Sequence, residues 1–159
     1  MPFTFSQETT PNSGNTILTA DLDVRVSPTD AIITSTNFIG GSSVSGVLDI
    51  SNNSGIDVLY FISADWRESP ASTISMATIL ANRLTVSVVA TASPTDVLVF
   101  GGTLAGLVDR PAGGRPLPTA TPVEKLTFTV LLAEEDATNL VQGVNLLTDF
   151  VFVATQSPA

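Results

Sequence analysis

The sequence predicts an all-β protein, built as a single jelly-roll-like antiparallel β-sandwich with one or two short helices and an extended N-terminal donor strand. Three observations support this fold class. Apolar residues recur at every second position, turn-forming clusters separate the alternating stretches, and Ser and Thr together number 37 while only 13% of residues are charged. Successive side chains of a strand point to opposite faces, so each alternating stretch is predicted to bury one face. Eight or so such strands are typical of a sandwich or a jelly roll.

The alternation is clearest at residues 18–26, 84–88 and 126–130, where polar residues separate the apolar ones. Further strands are predicted at residues 31–38, 44–51, 56–63, 97–100 and 144–154. The breaks between these stretches contain Pro, Gly, Asn, Asp and Ser, the residues that favour turns.

Three other stretches depart from the period of two. Residues 74–83 place apolar residues three to four apart, which predicts a short helix. Residues 133–140 open with three acids, which are favourable at a helix N-terminus, and one helical turn is predicted there. Residues 109–122 contain four prolines and two glycines, so they are predicted to form an exposed loop.

Composition excludes several classes of function. The chain has no His and no Cys, which removes zinc sites built on those residues and the nucleophiles that depend on them. A net charge of −9 disfavours nucleic acid and anionic membranes as partners, and no apolar run approaches the length of a membrane helix. We therefore predict a non-enzymatic protein with no cofactor, no metal, no nucleic-acid partner and no membrane insertion.

The 159 residues suit one folded domain, residues 16–159, preceded by an arm, residues 1–15. A hydrophobic content of 43% can supply a full core without a disulfide.

The arm carries Phe3 and Phe5 on one face of a minimal strand, and Thr4 and Ser6 on the other. The polar residues 7–15 that follow could span about 30 Å when extended, the width of a small domain. Burying two phenylalanines is worth on the order of 3–6 kcal/mol, so both are expected to be buried. Two places remain open for them: an edge of their own domain, or a groove in another copy.

The most distinctive motifs lie near the two ends of the chain. An aromatic pair at residues 3–6 (FTFS) precedes a first strand at 20–24 (ADLDV), and the chain closes with 141–145 (VQGVN) and 150–156 (FVFVATQ). Between them, residues 49–58 (DISNNSGIDV) place a turn before an apolar strand. Together these motifs resemble the TasA/camelysin family of bacterial biofilm-matrix proteins, and the ending is the most specific of them.

The resemblance implies a jelly-roll domain, export with removal of a signal peptide, and assembly into extracellular matrix fibres of identical subunits. In such fibres the N-terminal strand of one subunit inserts into the next. The donor-strand role then falls on Phe3, Thr4, Phe5 and Ser6. Candidates for lining the acceptor groove are Leu126, Phe128, Phe150 and Phe152, unless these are ordinary core residues.

The chain also departs from the family pattern at two points. No basic region followed by a long apolar core is visible, so Met1 would be a start residue added to a mature sequence. Lys125 is the single lysine, whereas the family surface is usually rich in lysine. Surface contacts are therefore expected to differ.

Two other functions remain open. One is a monomeric secreted binding or adhesin module whose arm packs on its own domain, and the other is a hydrolase that uses carboxylates alone. Asp21 and Asp23 share a predicted strand face and acids cluster at 134–136, but neither has the loop geometry of a calcium site, so solvated faces are expected. Residues 52–54 (NNS) match the N-glycosylation pattern, which many turns also do by chance.

Overall fold

The computed structural model describes residues 21–34, 38–69 and 72–158. In this part of the chain, eight antiparallel strands form two sheets. The strands are β1 (Val24–Ser27), β2 (Ser43–Asn52), β3 (Val58–Glu68), β4 (Leu84–Ala90), β5 (Val97–Thr103), β6 (Arg110–Leu117), β7 (Val123–Leu132) and β8 (Leu146–Gln156). The predicted all-β class is confirmed. The arm at residues 1–15 and the domain boundary after it lie outside the described residues.

One α-helix and two single turns of 3-10 helix connect the strands. The helix α1 (Ile74–Arg83) begins after Thr73, whose side-chain oxygen accepts a hydrogen bond from the backbone N–H of Met76 and so caps the first turn. The 3-10 turns are Leu104–Gly106 and Glu134–Asp136. Both helical predictions, at 74–83 and within 133–140, are therefore confirmed.

The two sheets have different widths. The larger sheet has the strand order β1-β2-β7-β4-β5, and the smaller sheet has the order β6-β3-β8. Alternate residues of their strands meet in a continuous core, in which Ile50, Ile62, Val86 and Phe128 are completely buried. The rings of Phe128 in β7 and Phe150 in β8 have centroids 4.3 Å apart, so β8 lies over β7.

The prediction of an exposed loop at residues 109–122 is wrong, because Arg110–Leu117 form β6. This strand tolerates Pro111 and Pro116 because it is an edge strand that pairs with β3 alone, and a residue without an N–H is acceptable on the free side of an edge. Gly113 and Gly114 both have φ of 80°, a conformation that residues with a Cβ rarely adopt. Turn-forming residues therefore shape an edge strand here.

The strand predicted at residues 31–38 is also wrong wherever the structure describes it, since residues 31–34 and Phe38 lie outside any strand. The segment instead runs across the inner face of β2. The carbonyl oxygen of Ile32 lies so close to Gly46 that a Cβ there would come within 2.2 Å of it, so this position requires glycine. The predicted first strand is shorter than expected as well, because β1 starts only at Val24.

Candidate strand-addition site

β8 is a long edge strand with a regular backbone. Its eleven residues pair with β3 in one continuous register, from Gln156 opposite Val58 to Leu146 opposite Glu68. The strand contains no proline and no glycine, and its single charged residue is Asp149. Native edge strands usually carry features that block the addition of a further strand, such as prolines, bulges, charges or short length. β8 has almost none of these features.

The other three sheet edges in the described residues are blunted. β1 has only four residues. β5 meets β4 with a register irregularity between Val88 and Val89, and it contains the consecutive glycines Gly101 and Gly102. β6 carries the prolines and glycines discussed above, and its pairing with β3 is interrupted near Ile62. The contrast identifies β8 as the edge that is open to another strand.

The backbone groups of β8 that face its free side can be assigned from the ends of the β3–β8 ladder. The N–H of Ser157 donates to the carbonyl oxygen of Asp57, and the N–H of Ser69 donates to that of Asn145. In an antiparallel ladder, residues alternate between facing the partner and facing away from it. Odd-numbered residues of β8 therefore bond to β3. The even-numbered residues present N–H and C=O groups to the free side: Leu146, Thr148, Phe150, Phe152, Ala154 and Gln156.

A groove of about 810 Å³ lies beside this free edge, between β8 and the β1–β2 side of the larger sheet. Val44 and Leu48 of β2 contribute to its lining, together with Phe150 and Phe152 of β8 and Ile32 of the segment that crosses β2. A volume of this size is in the range of ligand-binding pockets. An apolar groove beside an unpaired edge suits an extended peptide, whose backbone pairs with the edge and whose alternate side chains enter the groove.

The structure separates the four predicted groove residues into two pairs. Phe150 and Phe152 line the groove and are partly exposed. Leu126 and Phe128 are completely buried and do not line it. Phe128 supports the groove from beneath, because its ring lies 4.3 Å from that of Phe150 and 6.4 Å from that of Phe152. The predicted donor residues Phe3, Thr4, Phe5 and Ser6 lie outside the described residues.

Sequence reasoning did not single out the other groove residues. Val44 and Leu48 belong to a correctly predicted strand, and their alternation shows that they point inward but not that they line a groove. Ile32 was assigned to a strand of its own, which hid its position over Gly46.

A cluster of Tyr60, Arg115 and Glu124 joins the two sheets at the opposite end of the sandwich. The Tyr60 hydroxyl donates to the Glu124 carboxylate, and Nε and Nη2 of Arg115 donate to its two oxygens at 2.8 and 2.7 Å. Burial raises the pKa of Tyr60 above its ordinary value of about 10, and the hydrogen bond to Glu124 raises it further. The same carboxylate raises the pKa of Arg115 through its hydrogen bonds. The Tyr60 hydroxyl and both Glu124 carboxylate oxygens are hydrogen-bonded, as expected for a structural link.

This cluster predicts a loss of stability at alkaline pH. Tyr60 is completely buried and neutral in the folded protein, whereas in the unfolded chain it ionises near pH 10. The stability that the neutral Tyr60 side chain contributes to the folded protein is therefore complete below pH 10. Above that value the free energy of unfolding should fall by about 1.4 kcal/mol per pH unit. Urea unfolding between pH 9 and 12 measures this slope.

The variant Tyr60→Phe serves as the control for this slope, because it cannot ionise. It should be less stable than the wild type near neutral pH but should show a shallower alkaline slope. Tyr60 is also the single tyrosine of the chain, so tyrosinate absorbance reports on it alone. Tyrosinate absorbance that develops near pH 10 in the folded protein would contradict the raised pKa.

The glycosylation pattern at residues 52–54 has a structural explanation. Asn52 is only 4% exposed, and its side-chain nitrogen donates to the carbonyl oxygens of Ile56 and Leu117, both at 2.9 Å. Its side-chain oxygen accepts from the backbone N–H of Ser54. A glycan on the side-chain nitrogen would break these bonds, so Asn52 acts as the organising residue of the turn between β2 and β3.

Of the acidic residues considered as calcium ligands, Asp21, Glu134 and Glu135 are exposed, and Asp23 and Asp136 are half-buried. Asp23 pairs with Arg25 at 2.9 Å, and the hydrogen bond from Arg25 lowers the pKa of Asp23. Asp21 and Asp23 precede β1, so the strand face predicted for them is wrong. In the described ranges, no group of three or more His, Cys, Asp or Glu residues is placed to hold a metal ion. None of the helices described there is long and apolar enough to cross a membrane.

No protein-family model matches the sequence, and no curated protein matches it either. The resemblance of the chain ends to the TasA/camelysin family therefore stays a prediction from short motifs. The β8 edge and its groove are the structural features that bear on the function of this chain.

Proposed function

We propose that this chain is a structural subunit of an extracellular fibre of the biofilm-matrix type, and that it polymerises head to tail by donor-strand addition. In this proposal, residues 3–6 of one subunit pair with the free edge of β8 in the next. The jelly-roll-like arrangement of the sandwich and its N-terminal donor strand belong to the same proposal. Secretion is supported by the resemblance of the chain ends alone.

The observation that carries the proposal is the open edge of β8. Among the described residues, it combines eleven residues in regular register with β3, backbone groups at every even position that face the free side, and an apolar groove alongside. Each backbone hydrogen bond formed on addition contributes about 0.5–1.5 kcal/mol, and burial of Phe3 and Phe5 contributes on the order of 3–6 kcal/mol. Because the arm and the groove are different surfaces, the contact is heterologous, and a heterologous contact whose rotation does not close extends into an open filament.

Negative-stain electron microscopy of the full chain, beside a variant that lacks residues 1–10, tests the proposal. We expect fibres from the full chain and monomers from the shortened one, since the shortened chain has lost both phenylalanines of the arm. Circular dichroism should show the same β-sheet signal for both. Fibres from both proteins would rule out the arm as the assembly element. Monomers from both would favour the binding or adhesin module with the arm packed on its own domain.

A further inference from the structure

We infer that the donor strand runs antiparallel to β8 and enters the groove at the end where β8 begins. The inference rests on the proposed function and adds the direction of the contact. Each subunit would then receive an arm at one end of the sandwich and extend its own arm from the other end. The positions of the first described residues and of the groove carry this inference.

The chain enters the sandwich at the end where β2 stops, here called the Asn52 end. Val24, the first residue of β1, pairs with Asn52. Just before it, the N–H of Asp23 donates to Ser54 Oγ at 2.7 Å, and the carbonyl oxygen of Asp23 accepts from the N–H of Asn53 at 2.7 Å. These bonds fix Asp23 at the Asn52 end. Whatever precedes it in the chain starts from there.

The groove lies towards the opposite end, here called the Leu146 end. Its lining includes residues 144–150 and Phe152 of the segment that forms β8, but not residues 154–156. From the larger sheet, Val44 near the start of β2 and Leu132 at the end of β7 line the groove at this end, while Leu48 and Val26 line it nearer the Asn52 end. The groove therefore extends from the middle of the sandwich to the Leu146 end, and the arm leaves from the other end.

This arrangement links the direction of the arm to its destination. β8 runs from the Leu146 end to the Asn52 end, where Gln156 pairs with Val58. An arm that folded back into its own groove would run towards Asp23 at the Asn52 end, and so parallel to β8. In a head-to-tail line, the arm of the neighbouring copy enters at the Leu146 end and points its N-terminus at the Asn52 end, which makes it antiparallel. Antiparallel pairing is also slightly more stable per residue.

The direction can be read from residues on the outward face of β8. Leu147 and Val151 are 44% and 41% exposed there, so substitutions leave the core intact. As odd-numbered residues they would form non-hydrogen-bonded pairs with an added strand, with Cα atoms about 4.5 Å apart. That distance suits a disulfide, for which Cα atoms lie roughly 4.4–6.8 Å apart. In the antiparallel arrangement, a register that places Ser6 opposite Leu147 also places Pro2 opposite Val151, and the parallel arrangement reverses both pairs.

Disulfide cross-linking of the full chain tests the direction, because the natural sequence has no cysteine to interfere. Four double variants combine Ser6→Cys or Pro2→Cys with Leu147→Cys or Val151→Cys. After mild oxidation, non-reducing electrophoresis separates cross-links between copies, which give ladders, from those within a copy. We expect ladders from the Ser6/Leu147 and Pro2/Val151 pairs, several-fold stronger than from the other two. Ser6→Cys with Ser45→Cys, on the outer face of the larger sheet, is the control for random collisions.

Each of the other outcomes contradicts a different part of the proposal. Ladders from Ser6/Val151 and Pro2/Leu147 would overturn the antiparallel direction and keep strand addition between copies. Monomers with an internal cross-link in those same pairs would overturn both the inference and the fibre proposal in favour of an arm packed on its own domain. Fibres without any cross-link, or ladders from the Ser45 control as strong as those from Ser6/Leu147, would show that β8 is not the acceptor.

Discussion

Replacing both Phe3 and Phe5 with aspartate should abolish fibre formation and leave the β-sheet circular dichroism signal unchanged. Each buried phenylalanine is expected to contribute about 1.5–3 kcal/mol to the contact between subunits. A carboxylate buried in the groove beside Phe150 and Phe152 would in addition lose part of its hydration. Sedimentation of fibre mass, together with electron microscopy, measures the effect.

The matched control places the same charge on the other face of the arm. Thr4→Asp with Ser6→Asp also adds two negative charges to a chain of net charge −9, but on the face predicted to point away from the groove. This variant should still form fibres, particularly at physiological salt, where exposed charges are screened beyond about 8 Å. Normal fibres from the phenylalanine variant would exclude the donor strand. Loss of fibres from both variants would mean that charge, and not burial, controls assembly.

Local patterns in the sequence predicted most of the fold because a strand or a helix is recorded in the spacing of its own residues. The alternation at residues 44–51, 84–88 and 126–130 falls within β2, β4 and β7, and residues 74–83 form α1 with the predicted bounds. In the strands alternate side chains are buried, and in the helix side chains three to four residues apart are buried, as the sequence pattern predicts.

Two of the wrong predictions, the exposed loop at 109–122 and the strand at 31–38, share a cause, since both depend on where a segment lies relative to the sheets. Pro111 and Pro116 fit β6 only because that strand is an edge, and strand order is not recorded in local spacing. Residues 31–34 have the composition of a strand, yet the glycine at position 46 lets Ile32 lie across the inner face of β2. The pairing of distant parts of the chain decides both cases.

The candidate site shows the same limit. Alternation placed Leu126, Phe128, Phe150 and Phe152 correctly on inward faces, but it could not separate the groove lining from the core beneath it. That separation follows from the unequal widths of the two sheets, because β8 lies over β7 and leaves β2 beside the groove. The free edge of β8 likewise became visible only with the strand order.

Replacing Phe128 with alanine should weaken both the fold and the groove. The side chain is completely buried, so its removal should lower the free energy of unfolding by about 3–5 kcal/mol through lost transfer energy and a residual cavity. The rings of Phe150 and Phe152 would lose the surface on which they rest, so fibre formation should also fall. Urea unfolding is best measured in a protein that also carries Phe3→Asp and Phe5→Asp, because under the proposal these substitutions keep it monomeric.

Leu117→Ala provides the comparison that separates these two effects. Leu117 is 2% exposed in β6, the opposite edge of the smaller sheet, and it does not line the groove. Its truncation should cost about 2–5 kcal/mol of stability, in the same range as Phe128→Ala. At a temperature where both variants stay folded, the Leu117 variant should form fibres at nearly the wild-type level, and the Phe128 variant should not. Equal fibre yields would mean that the support of Phe150 and Phe152 by Phe128 has no part in assembly.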